Sequence, residues 1–160
     1  MFKHLKSSRM STHKIGDKAP AISGQDQDGN SFSLGSLKGR KVVLYFYPKD
    51  DTPGCTAEAC SLRDNYKELM SQGYTVVGVS PDNQKSHRKF ADKHELPFPL
   101  IADTEKTIAR EYGVWGLKKF MGREYEGIIR TTFLIDESGV IVDIISKVDT
   151  KNHAFQILNM

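Results

Sequence analysis

The chain has 160 residues, 38% of them hydrophobic and 27% charged, the balance of one globular domain large enough to bury a full core. No stretch approaches the roughly 18 consecutive apolar residues that a transmembrane helix needs. The net charge of +3 arises in residues 1–14, where Lys3, Lys6, Arg9 and Lys14 meet no acid; the remainder sets 19 bases against 20 acids and gives no electrostatic ground for a nucleic-acid partner.

Residues 1–14 lack the apolar core of a secretory signal and read as a basic, disordered extension, followed by a single domain over residues 15–160. No repeat or low-complexity linker divides that domain. The segment SGQDQDGNSFSL predicts two short strands around Asp28-Gly29, a strong hairpin signal. Asp26, Asp28 and Asn30 imitate the start of a calcium loop, but Ser31 and Leu37 stand where the loop requires Gly and Glu, so a plain turn is expected. KVVLYFYP, from Lys41, is a run of β-branched and aromatic residues typical of a strand buried on both faces, and Pro48 ends it.

A helix is predicted from about Pro53 to Ser71, with Thr52 as N-cap, Pro53 at the first helical position and Gln72-Gly73 as its end. Ala59, Leu62, Tyr66, Leu69 and Met70 form its apolar stripe. YTVVGVS is a second buried strand. NQKSHRKFADKHEL is a helix capped by Asn83, and PFPLIAD is a short extended segment. TEKTIAREYGV is a helix with Thr104 as cap and Gly113 as stop. TTFLIDESGVIVDII is a hairpin turning at Glu137–Gly139, and DTKNHAFQIL opens a closing helix at Asp149. Strands that alternate with helices and end in an antiparallel pair predict an α/β fold, a mixed central sheet with helices on both faces and an N-terminal hairpin.

The two cysteines, Cys55 and Cys60, are too few for a disulfide framework and point to a reducing compartment, hence the cytoplasm. Cys55 falls in the first turn of the predicted helix, where backbone N–H groups and the helix dipole favour a thiolate. Five helical residues turn about 500° and rise about 7.5 Å, so the two side chains point some 140° apart. A disulfide needs converging Cβ vectors and Cα atoms within about 7 Å, so an intact helix forbids the pair. Four readings remain open on these residues alone: a redox pair, a buried core cysteine at Cys60, two inert thiols, or part of a zinc site. The five histidines are scattered and none is spaced like a ligand pair with the cysteines.

The surrounding motif resembles that of the peroxiredoxins. Pro48-x3-Thr52-x2-Cys55 matches the family's P-x3-T-x2-C at every fixed position, Glu58 matches a further one, and Arg130 in RTTFLID matches the family's distal arginine. YFYPKDDTPGCTAEAC, YGVWGLKKFMG and GIIRTTFLID together resemble the bacterioferritin comigratory protein, or peroxiredoxin Q, branch, from about Ile15 to the C-terminus. The resemblance implies a thioredoxin-like fold and a thiol peroxidase acting on hydrogen peroxide and organic hydroperoxides. It implies Cys55 as the peroxidatic residue and Cys60 as the resolving one, paired as an intramolecular disulfide that thioredoxin or a similar dithiol reduces. It further implies that Arg130 and Thr52 serve the reacting atoms, that Pro48 shapes the pocket and that Glu58 orients Arg130. No metal, flavin, haem or nucleotide cofactor is expected, and a resolving thiol in the same chain favours a monomer.

Complete ionisation of an ordinary thiol multiplies its thiolate fraction at pH 7 by about 30-fold, or about 2 kcal/mol. A fast peroxidase therefore also needs donors aimed at the peroxide oxygens. Trp115, between two glycines, is either packing or a pocket rim. Two rivals stand beside the peroxidase: a general thiol–disulfide oxidoreductase, poorly served by a spacing other than C-x-x-C, and a redox-sensing or chaperone-like binding protein.

Overall fold

A computed structural model describes residues 13–160; the expectation for the basic arm falls, up to residue 12, outside the described residues. The strands are β1 (Ser23–Gln25), β2 (Ser31–Ser33), β3 (Lys41–Phe46), β4 (Tyr74–Ser80), β5 (Leu100–Ala102), β6 (Trp115–Phe120), β7 (Arg123–Ile128), β8 (Thr131–Ile135) and β9 (Ile141–Ile145). The helices are α1 (Pro53–Asp64), α2 (Tyr66–Ser71), α3 (Gln84–His94), α4 (Thr107–Glu111) and α5 (His153–Leu158). Seven strands form one mixed sheet in the order β2-β1-β5-β4-β3-β8-β9, and β6 and β7 form a separate antiparallel pair. Strands β3, β4 and β5 run parallel, while β8 lies antiparallel to β3.

The apolar run over residues 42–46 of β3 has a direct cause. Val43 and Tyr45 join a core with Cys55, Ala59 and Leu62 of α1, Leu69 of α2, Phe90 of α3 and Ile157 of α5. Val42, Leu44 and Phe46 join the opposite core with Ile108 and Ala109 of α4. Burying each large side chain of this kind is worth about 1.5–3 kcal/mol, so a strand serving two cores tolerates no polar position. Gly78 in β4 lies opposite Tyr45, and an added Cβ would stand 2.9 Å from that ring. The glycine leaves room for that aromatic ring, which shares its core with Cys55.

Several predicted boundaries move. The helix expected to run to Ser71 breaks at Asn65, whose backbone N–H and side-chain amide both donate to the Ser61 carbonyl. The side chain competes for the helical acceptor, and the following turn restarts as α2. Met70, placed on the apolar stripe by an unbroken helix, is exposed. Helix α4 starts after Lys106, in the left-handed region at φ 61°, and its Ile108 and Ala109 N–H groups are capped by Asp103 rather than Thr104. Helix α5 starts at His153 because residues 149–152 form a turn closed by Asn152 N–H on the Asp149 carbonyl.

No turn signal in the sequence marks the hairpin β6–β7. Its two-residue loop, Met121 at φ 52° and Gly122 at φ 78°, has the twist that hairpins favour but lacks the Asn-Gly or Asp-Gly that announces it. The Asp26 carboxylate accepts from Asp28 N and Asn30 N, so it closes the β1–β2 turn.

Candidate active site

Strand β3 delivers the chain to the site, and Pro48 stops the ladder just after Tyr47 N–H donates to Val79. The loop that follows is braced from below. Asp50 is buried and accepts from Tyr47 Oη at 2.6 Å and Ser86 Oγ at 2.8 Å, while its N–H donates to Asp82 Oδ2 at 2.8 Å. His87 spans Asp50 Oδ2 at 2.7 Å and the Ile101 carbonyl at 3.0 Å. Asp50, Asp82 and His87 are the only metal-like group of three among the described residues, and these bonds already occupy it as a brace. Asp51, at φ 59°, then turns the chain into α1.

Thr52 holds the extended N-cap position, as predicted, but its side chain does not cap. The hydroxyl donates to the Lys49 carbonyl at 2.8 Å, which folds the loop onto itself. Pro53 and Gly54 open the helix and Cys55 is its third residue, only 2% exposed. Arg130, between β7 and β8, donates from Nη2 to Cys55 Sγ at 3.4 Å and from Nη1 to Glu58 Oε1 at 2.6 Å. One planar guanidinium thus holds two groups a helical turn apart on one face of α1. Gly54 permits this approach, because a Cβ there would stand 3.3 Å from Arg130 Nη2.

Glu58 is fully buried, and its Oε2 has no hydrogen-bond partner. His153 Nε2 lies 3.5 Å away but is engaged with Thr132 Oγ1 at 2.7 Å, while Nδ1 meets Gln156 Oε1 at 2.8 Å. The Gln156 oxygen can only accept, so Nδ1 carries the proton and Nε2 accepts from the threonine hydroxyl. Burial holds His153 below its ordinary pKa and so keeps the ring neutral, although Gln156 pulls the other way. Burial likewise raises Glu58 to about 7, against the opposing pull of Arg130. Burial lowers the Arg130 value, but the neighbouring Glu58 and Cys55 outweigh it, and the guanidinium ends above its ordinary value.

Three further groups of this neighbourhood carry no mark in the sequence. Lys118 of β6 has its ammonium held below the ordinary value by burial and then by the charge of Arg130, with Cys55 opposing. Its charge is thus coupled to those of Arg130 and Cys55, through a hairpin that no turn signal announced. His153 and Tyr45 are the others: the Tyr45 hydroxyl is buried without a partner, and burial, then Glu58 and Cys55, raise its pKa well above the ordinary value. Trp115 packs elsewhere, against the opposite core and beside Lys106, which precedes α4, and Arg110 of α4.

Cys60 is half-buried, and both thiols are free in a helix that is unbroken from Pro53 to Asp64. The pair therefore cannot join without opening α1. Ala59, small enough to suggest weak packing, is fully buried, and so are Glu58 and Leu62. The resistance to opening comes from these contacts and from the Arg130 bridge.

The chain as a whole has counterparts among known proteins. The AhpC/TSA family model matches residues 15–144. The chain is a peroxiredoxin. It is 47% identical over 145 residues to the putative peroxiredoxin Bcp of Coxiella burnetii, covering 91% of this chain and 96% of that one. It is 46% identical to peroxiredoxin Bcp of Bacillus subtilis over 92% and 94% of the two chains. Among solved structures, a mutant of Xylella fastidiosa PrxQ superposes with a TM-score of 0.87 at 31% identity, covering 94% and 96%. A structure of Xanthomonas campestris bacterioferritin comigratory protein, described for alkyl peroxide reduction, superposes with a TM-score of 0.82 at 31% identity over the same shares. This peroxiredoxin thus belongs to the Bcp, or PrxQ, branch, has its thioredoxin-like fold and is a thiol-dependent peroxidase. Among its described residues no helix is long and apolar enough to cross a membrane.

Proposed function

We propose that Cys55 is the peroxidatic thiolate and Cys60 the resolving thiol of this peroxidase, with thioredoxin as the dithiol donor. The carrying observation is the single guanidinium of Arg130 that bridges Cys55 Sγ and Glu58 Oε1. The thiolate attacks the terminal oxygen of a hydroperoxide, the O–O bond breaks, and the departing alkoxide or hydroxide takes a proton. Cys55 becomes a sulfenic acid. Cys60 then forms the S–S bond as the S–O bond breaks and water leaves. Two electrons from the external dithiol restore both thiols.

Each neighbour has a part in that sequence. Arg130 favours the thiolate and donates to the peroxide oxygens as charge develops on them. Glu58 holds the guanidinium in plane. Thr52 shapes the loop over the sulfur and presents its hydroxyl oxygen to the pocket, and Pro48 closes the loop against water. Hydrogen peroxide and small organic hydroperoxides are the substrates, in keeping with the alkyl peroxide activity described for the Xanthomonas relative. Both thiols lie in one chain, which supports a monomer, and two free cysteines suit the cytoplasm.

The test is a thioredoxin-coupled peroxide assay on two variants. Cys55→Ser abolishes peroxide consumption. Cys60→Ser permits one oxidation of Cys55 and then blocks recycling by thioredoxin. Substantial turnover by the first variant rejects the nucleophile, and unchanged cycling by the second removes Cys60 from the mechanism.

A further inference from the structure

Cys60 has its own surroundings, distinct from the Arg130 site. Its Sγ lies 3.9 Å from Nδ1 of His94, the last residue of α3. The other ring nitrogen, Nε2, is buried with no hydrogen-bond partner, and the nearest carboxylate oxygen, Asp51 Oδ1, stands 3.7 Å away. The ring is held at a right angle against Phe90, with centroids 5.3 Å apart. Arg63, three residues beyond Cys60, donates to the His94 carbonyl at 2.8 Å and ties the rear half of α1 to α3 at this point. Asp51 is itself held by Lys93 Nζ at 3.1 Å, which keeps its carboxylate below its ordinary pKa. Thiol, imidazole and carboxylate therefore stand in line, in an order suited to moving a proton off sulfur.

We propose that His94 is the general base for Cys60, with Asp51 as the residue that stabilises the resulting imidazolium. The inference rests on Cys60 being the resolving thiol. His94 Nδ1 takes the thiol proton, the Cys60 thiolate attacks the sulfur of the Cys55 sulfenic acid, and the S–S bond forms. The S–O bond breaks, and the departing hydroxide recovers a proton as water. The neutral ring serves with Nε2–H toward Asp51 and the Nδ1 lone pair toward sulfur. The charged groups around it are Asp51 from the loop, Lys93 and Glu95 beside it in the chain, and Arg63 from α1. Such a base separates two tasks: Arg130 governs the oxidation of Cys55, and His94 governs the disulfide that follows.

The experiment is rapid-quench oxidation of the full chain with one equivalent of hydrogen peroxide, with sulfenic acid and disulfide counted by mass spectrometry after thiol trapping. In His94→Gln the first phase, sulfenic acid formation, keeps its rate and reports an intact fold. The second phase, disulfide formation, falls roughly 100-fold at pH 7 and becomes steeper with pH between 6 and 8. In His94→Ala added imidazole restores it. Asp51→Asn, tolerated at a positive φ, slows the same phase by about 5-fold and serves if the His94 variants do not fold. An unchanged second phase and pH profile in His94→Gln, while Cys60→Ser still blocks recycling, overturns the base and leaves the peroxidase reading intact. Unimpaired cycling of Cys60→Ser overturns the base together with the resolving role of Cys60, and leaves Cys55 as the peroxidatic thiol.

Discussion

Glu58 meets Arg130 through Oε1 at 2.6 Å, and its second oxygen, buried, meets no donor. A carboxylate half satisfied in the interior is costly to ionise, and this one is raised from 4.5 to about 7. Between those limits the folded protein retains a proton that the unfolded chain has released. Stability from this group is therefore full below about 4.5 and is lost as pH rises through about 7, by an amount on the order of 3 kcal/mol. The urea midpoint of the wild-type protein falls from pH 5 to pH 8, and Glu58→Gln, which keeps an acceptor for Arg130, shows a smaller fall. Parallel pH profiles of the two proteins would contradict the assignment.

Arg130→Lys tests the bridge. A lysine keeps the charge, but one ammonium cannot span Cys55 and Glu58 as the planar fork does. The rate of Cys55 oxidation falls by about 100- to 1,000-fold, the usual scale for losing an aimed donor. A loss under threefold would show that charge alone suffices.

Gly54→Ala separates stability from activity. Alanine at a helical position gains up to about 1 kcal/mol over glycine. The added methyl crowds Arg130 Nη2 at 3.3 Å. The variant should unfold at equal or higher urea concentration and yet oxidise about 5-fold more slowly. Stopped-flow oxidation and equilibrium unfolding on one sample decide it.

Opening of α1 is held back by Ser61, whose Oγ accepts from the Ala154 N–H of α5 at 3.1 Å. Ser61→Ala leaves that buried N–H unpaired and destabilises the fold by about 1–3 kcal/mol. It also speeds formation of the disulfide if the clasp must release first. Equal disulfide rates in the two proteins would place the opening nearer Cys55, short of Ser61.

The sequence alone determined the local features: the two-sided strand KVVLYFYP, the helix start that places Cys55 at the positive end of a dipole, and the helical spacing that keeps Cys60 out of reach. These depend on neighbours along the chain, and periodicity reports neighbours. Even so, Asn65 broke the helix, because a side-chain amide competing for the Ser61 carbonyl leaves no mark in a hydrophobic pattern. Arg130 entered only through the motif; no rule of spacing brings it to a thiol 75 residues earlier in the chain. Tertiary structure alone decided that Lys118 would feel the charges of Arg130 and Cys55, that His153 would be neutral behind Glu58, and that His94 would face Cys60. Each depends on distance through space and on the removal of water, and both arise only when the sheet brings distant segments together.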